Sequence, residues 1–139
     1  ACPAPPPCPV CPISTSAPWF QIMISTTAGA YFLGFKDGFL HVKFDAIYRQ
    51  AWVFEKGPDN SQVYIKNVAS NKYLCADATL SGPVLHLCDV QTAWNIFFSN
   101  GMIIQQVADP RYVLDGAGGG LASLKSTTAT RWTIRAYVP

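Results

Sequence analysis

The sequence predicts an all-β domain of three repeats, each about 40 residues long, behind a proline-rich extended tail. A recurring Trp is the first observation. Gln50-Ala51-Trp52-Val53-Phe54, Thr92-Ala93-Trp94-Asn95-Ile96 and Thr130-Arg131-Trp132-Thr133-Ile134 share one shape: a polar lead, a Trp, then an apolar residue two places on. Spacing is the second. Ile24 to Trp52 is 28 residues, Ile65 to Trp94 is 29 and Ile104 to Trp132 is 28. Eight residues after each isoleucine come Phe32-Leu33, Tyr73-Leu74 and Tyr112-Val113. Such a period signals a repeat architecture. The third observation is punctuation: short strand-like runs lie between frequent turn signals, and no segment has helical periodicity.

The 139 residues suit one domain with a real core, half of them hydrophobic and only 13% charged. Net charge is +2, and the ten Lys and Arg are scattered. No run of like charge marks a nucleic-acid surface, and no apolar stretch approaches the roughly 20 residues of a membrane span. Five cysteines lean toward an oxidising compartment, and the odd count leaves one free or paired with another chain. A start at Ala1, without Met, is compatible with a processed chain.

Residues 1–18 form the tail, with seven of the eleven prolines and three of the five cysteines. Such proline density excludes helix and central strand and favours polyproline II. Residues 19–139 form the domain, with repeats at about 20–57, 61–101 and 102–139. In the first, strands are expected over Phe20 to Ile24, Tyr31 to Phe35, Phe39 to Phe44 and Ala51 to Glu55, with Asp37-Gly38 as a tight hairpin turn. Leu40 and Val42 alternate with His41 and Lys43, as in a half-buried strand. The second repeat offers Val63 with Ile65, then Tyr73 to Ala76, Val84 to Cys88 and Trp94 to Phe98. The third places Ala108-Asp109-Pro110 where Ser70-Asn71-Lys72 stood, and Asp115-Gly116 opens a glycine-rich hairpin. The expected core is Ile24, Leu33, Leu40, Val42, Trp52, Phe54, Ile65, Leu74, Leu85, Leu87, Trp94, Ile96, Ile104, Val113, Trp132 and Ile134. Trp19, outside the repeat symmetry, is expected to be exposed.

Three such units resemble a β-trefoil, whose twelve strands divide into six that close a barrel and six that cap it. A propeller of three blades would be too few to close. The Gln-x-Trp of Gln50-Ala51-Trp52 resembles the signature of ricin-type lectin domains. So does Tyr73-Leu74-Cys75-Ala76-Asp77 followed by Gly82-Pro83-Val84 and Cys88. The resemblance covers nearly all of the chain after residue 18 and implies a disulfide between Cys75 and Cys88. Fascin-like and fibroblast-growth-factor-like trefoils are the second choice, matched by Asn71-Lys72-Tyr73-Leu74 and Ala30-Tyr31-Phe32-Leu33.

A ricin-type sugar site uses an Asp in the first hairpin, an exposed aromatic on the next strand and Asn-Gln before the Trp. The ligand-binding residues so implied are Gln50, Asp77, Gln91 and Asp115. The pattern is incomplete in every repeat. Val42 and Leu87 stand at the aromatic position of the first two, Thr92 and Thr130 replace the Gln of the last two, and Leu121 to Lys125 holds no aromatic.

Other chemistry is weaker. His41 and His86 occupy equivalent places and read as outward strand residues, not a catalytic or metal pair. Gly116 to Gly120 lacks the Lys-Ser/Thr and the helix of a phosphate loop. In the tail, Cys8-Pro9-Val10-Cys11 could serve zinc or redox chemistry, but no histidine is near and proline forbids a helix start. Cys2, Cys8 and Cys11 are therefore expected in interchain or tail-internal disulfides. The sequence thus points to a non-enzymatic binding module, secreted or on a cell or virion surface. It would recognise glycan or protein from a disulfide-linked stalk, without metal or cofactor. The alternative is a structural subunit of a virion, coat or fibre, packed as a homo-oligomer or larger assembly.

Overall fold

The computed structural model describes residues 18–26, 29–80, 83–116, 120–125 and 130–137. Cys2, Cys8 and Cys11 lie outside the described residues, as does the tail up to residue 17. The first repeat holds β1 (Phe20–Thr26), β2 (Gly29–Lys36), β3 (Phe39–Lys43), a short 3-10 turn (Ala46–Tyr48) and β4 (Trp52–Lys56). The second holds β5 (Gln62–Asn67), β6 (Lys72–Asp77), β7 (Val84–Cys88) and β8 (Ala93–Phe98). The third holds β9 (Met102–Gln106), β10 (Val113–Asp115), β11 (Gly120–Leu121), β12 (Ser123–Lys125) and β13 (Thr133–Ala136).

The pairing order β1-β4-β5-β8-β9 continues through a Met102–Trp132 bridge to β13, and β13 pairs back with β1. Six strands thereby close an antiparallel barrel. The hairpins β2–β3, β6–β7 and β10–β12 cap it. This is a β-trefoil. Among the described residues thirteen strands stand in place of the expected twelve, because the third cap region holds an extra short strand. Its β11 leaves to pair with β3, and Ala122 N–H donates to the Leu40 carbonyl at 2.9 Å. Asp37 and Gly38 both have positive φ, 55° and 85°, as a type I′ hairpin turn requires.

Each repeat Trp ties its cap hairpin to the barrel. The indole N–H of Trp52 donates to the Leu33 carbonyl at 2.9 Å, that of Trp94 to Leu74 at 2.9 Å and that of Trp132 to Leu114 at 3.1 Å. All three rings are buried. A buried indole N–H needs an acceptor, and the first strand of each hairpin supplies it. Gly116 makes room for this packing: a Cβ there would lie 2.6 Å from Val42 Cγ2 and 2.7 Å from Trp132 Cη2.

Two expected core positions shift. Phe20, Val63 and Met102 pair with the three Trp. Two residues beyond them stand Ile22, Ile65 and Ile104, all 0% exposed. Ile22, not Ile24, is therefore the first-repeat counterpart, and Ile24 packs half-buried against the core. Strand β1 runs two residues further before its turn, which the constant Ile-to-Trp spacing concealed. Likewise Leu114, not Val113, is buried beside its Trp. The other expected residues are buried or pack against the buried cluster, and Leu124 joins them opposite Leu114. Burial of each aliphatic is worth roughly 1.5–3 kcal/mol.

Candidate functional site

The residue two places before each Trp turns toward its own cap hairpin. Gln50 Oε1 accepts the Phe35 N–H at 2.9 Å, and its Nε2 donates to the Phe35 carbonyl at 2.9 Å. The side-chain amide thus pairs with β2 as a neighbouring strand would. Thr92 Oγ1 donates to Cys75 Sγ at 3.4 Å, and Thr130 Oγ1 donates to Asp115 Oδ1 at 2.5 Å. Cys75 is joined to Cys88 by a disulfide across β6 and β7, with the two Cα atoms 6.0 Å apart. Gln50 is half-buried and Asp115 is 8% exposed. Both are held within the framework by these bonds.

Asp77 and Gln91, both in the second repeat, are exposed. Asp77 Oδ2 lies 2.9 Å from His86 Nε2. His86 also corrects the aromatic position. Leu87 faces Leu74 and Val42 faces Leu33 across their hairpins, and both pack in the core. Alternation therefore turns His41, His86 and, in the third repeat, Ser123 to the other face. His41 packs against Tyr48 with ring centroids 5.2 Å apart. Burial, then Lys43, draws its imidazole below the ordinary value, against an opposing pull from Asp37.

Gln91 belongs to a polar group that the sequence did not single out. Glu55 on β4 stands opposite Tyr64 on β5, and Lys66 on β5 stands opposite Tyr73 on β6. Their neighbours Phe54, Ile65 and Leu74 pack in the core, so these four turn outward. The Tyr73 hydroxyl donates to Glu55 Oε1 at 2.8 Å. Gln91 Nε2 donates to the same oxygen at 3.1 Å and to the Tyr73 hydroxyl at 3.4 Å. Lys66 Nζ lies 5.5 Å from the Tyr73 ring centroid, and the Tyr64 ring meets Tyr73 edge-on at 6.3 Å. Donating to Glu55, the Tyr73 phenol is held above the ordinary tyrosine value; desolvation adds to this and Gln91 opposes it. The outward phase of each strand was present in the sequence. Which outward residues meet was not, because that depends on strand order.

Among the described residues, no group of three or more His, Cys, Asp or Glu could hold a metal ion. No helix there is long and apolar enough to cross a membrane.

No family model and no curated protein matches the chain. Solved structures do. The Rhizoctonia solani agglutinin superposes with a TM-score of 0.68 at 18% identity, covering 91% of this chain and 99% of the agglutinin. A GlcNAcα1-4Gal-releasing endo-β-galactosidase from Clostridium perfringens superposes with a TM-score of 0.67 at 12% identity, over 85% of this chain and 32% of the enzyme. At these identities the likeness establishes a shared fold.

Proposed function

We propose that this chain is a non-enzymatic glycan-binding module acting outside the cell. The observation that carries this is the outward patch of Tyr73, Glu55, Gln91, Lys66 and Tyr64. It offers a carboxylate, an amide, a phenol and an ammonium around aromatic rings. A sugar needs that pairing of apolar ring face with convergent hydrogen-bond groups. The fold shared with an agglutinin, and with part of a galactosidase, supports the ligand class. The Cys75–Cys88 disulfide supports an oxidising compartment. Disulfides through Cys2, Cys8 and Cys11 would make the tail a covalent stalk, and a non-reducing gel tests that.

The test of function is a broad glycan array probed with the wild-type chain, Glu55→Gln and Gln91→Ala. A hydrogen bond to a charged group is worth about 1.5–3 kcal/mol, so Glu55→Gln should weaken binding roughly ten- to a hundredfold. Failure of the wild-type chain to bind any glycan would sink the proposal.

A second reading, a structural assembly subunit, is favoured by the barrel mouth. Phe54, Val63, Ile96, Met102 and Ile134 line an apolar depression of about 300 Å³ there, and Phe98, paired with Met102, is 75% exposed. A concentration-independent monomer in solution would exclude this reading.

A further inference from the structure

A cleft of about 430 Å³ lies between Ala78, Leu80 and Pro83 on one side and the loop joining β9 to β10 on the other. We propose that it is a second saccharide site, taking a neutral pyranose through residues none of which belongs to the Tyr73 patch. The proposal shares the ligand class of the first site but not its groups, so either can fail alone.

Broken repeat symmetry is the starting point. Ile24, Asn67 and Gln106 each lie two residues beyond the buried isoleucine of their repeat. Asn67, 0% exposed, is fully engaged. Its Oδ1 accepts from Ser70 N–H at 3.0 Å and Ser70 Oγ at 2.9 Å, and its Nδ2 donates to Gln50 Oε1 at 3.0 Å. Gln106 is 6% exposed and lines the cleft, yet its Oε1 has no hydrogen-bond partner among the described residues. The sequence explains the difference. Three places after Gln106 stands Asp109 instead of a serine, and an ionised carboxylate cannot donate. The Gln50 oxygen that accepts from Asn67 Nδ2 also has no counterpart, since the lead two residues before the adjacent Trp is Thr92, bonded to Cys75 Sγ; this change concerns the amide nitrogen, and the Ser-to-Asp change the oxygen. A buried amide oxygen without a donor is disfavoured. An incoming hydroxyl supplies what the third repeat lacks.

The rim fits the same ligand. Arg111 Nε donates to Asp109 Oδ1 at 3.0 Å, and its Nη2 to Oδ2 at 2.9 Å. This bidentate pair cancels its own charge and keeps Asp109 ionised, below the usual carboxylate range. An anionic ligand could reach the spare guanidinium protons only beside the Asp109 carboxylate, whose charge opposes it, whereas a neutral polyol can use both those protons and the carboxylate lone pairs. Tyr112, whose ring centroid lies 5.7 Å from the Arg111 guanidinium carbon, and the exposed Leu80 supply apolar wall. A cleft with a deep polar anchor, an apolar wall and a few convergent polar groups is the usual form of a small-ligand site. Two sites on one chain would let a monomer bridge glycan-bearing surfaces.

The test is two-dimensional NMR of the isotope-labelled chain, titrated with methyl glycosides of galactose, N-acetylglucosamine and mannose, and with N-acetylneuraminic acid as the anionic probe. Saturable shifts are expected at the Gln106 side-chain amide, Arg111 Nε and Tyr112 with at least one neutral glycoside. Ala108→Trp, which fills the cleft from its rim, should weaken them at least tenfold and leave shifts at Glu55 and Gln91 unchanged. Gln106→Leu should do the same without lowering the melting temperature, because the lost oxygen held no partner. Cleft shifts without patch shifts uphold this site and count against the first. No cleft shift with any neutral glycoside, a response to the anion alone, or shifts that survive both substitutions would overturn the proposal. A water bridging Gln106 predicts the first of these outcomes.

Discussion

Replacing Trp94 with Phe tests whether the repeat Trp holds cap to barrel. The ring is 0% exposed and its N–H is committed to Leu74 at 2.9 Å. Phe keeps an aromatic body but loses the donor and part of the ring. The lost hydrogen bond is worth about 1 kcal/mol. The lost apolar contact adds about 1–2 kcal/mol. The sum, about 2–3 kcal/mol, is a large share of the total stability of a domain this size. With a urea slope of about 1–3 kcal/mol per molar, the unfolding midpoint should fall by roughly 0.7–3 M. Far-UV circular dichroism is the appropriate probe, since the substitution alters fluorescence. Trp52→Phe and Trp132→Phe should behave alike, because both make the equivalent bond. Trp19→Phe is the control: Trp19 is 46% exposed and tilts against Tyr137. It should change stability by no more than about 0.5 kcal/mol. A Trp94→Phe loss below about 1 kcal/mol, or one matched by Trp19→Phe, would refute the reasoning.

Two further outcomes are expected. Reducing Cys75–Cys88, or replacing both with Ala, opens a loop of sequence separation 13 and should cost about 3 kcal/mol on the chain-entropy account, read as a lower urea midpoint. The Tyr73 phenol, raised first by its bond to Glu55, should lose its proton above the ordinary tyrosine range. Between the unfolded and folded values the fold holds an extra proton there, so that contribution to stability is complete below the unfolded value and is lost as pH rises through the folded one. Glu55→Gln should bring Tyr73 down toward the ordinary range, as followed by NMR of labelled tyrosine; an unchanged titration would show that Glu55 is not the cause.

Much of the fold was legible because its parts are local. The Asp37-Gly38 turn formed where a type I′ pair was expected, since φ preference is a property of the two residues themselves. The alternation Leu40-His41-Val42 gave the correct inward face because the strand period is two. Errors arose where a count stood in for a contact. Ile24 satisfied the spacing to Trp52, but pairing with Phe20 makes Ile22 the residue in register. The site followed the same division. Asp77 and Gln91 were expected from the resemblance, and of the two only Gln91 bonds to the Tyr73 group, whereas Glu55, Tyr64, Lys66 and Tyr73 became a group only when β4, β5 and β6 were laid side by side.

The sequence by itself determined a threefold β domain and the three Trp residues that mark it, whereas the Cys75–Cys88 pair was implied by the resemblance to ricin-type domains. These are short-range patterns of polarity, turn chemistry and spacing, and they are readable along the chain. Only the tertiary structure decided that Gln50 binds the β2 backbone instead of facing solvent, that Gln91 joins Glu55, and that Gln106 is left without the partners Asn67 enjoys. Hydrogen-bond satisfaction depends on which atoms of distant segments lie within about 3 Å of each other. That distance is set by the closing of the barrel, and no window of sequence contains it.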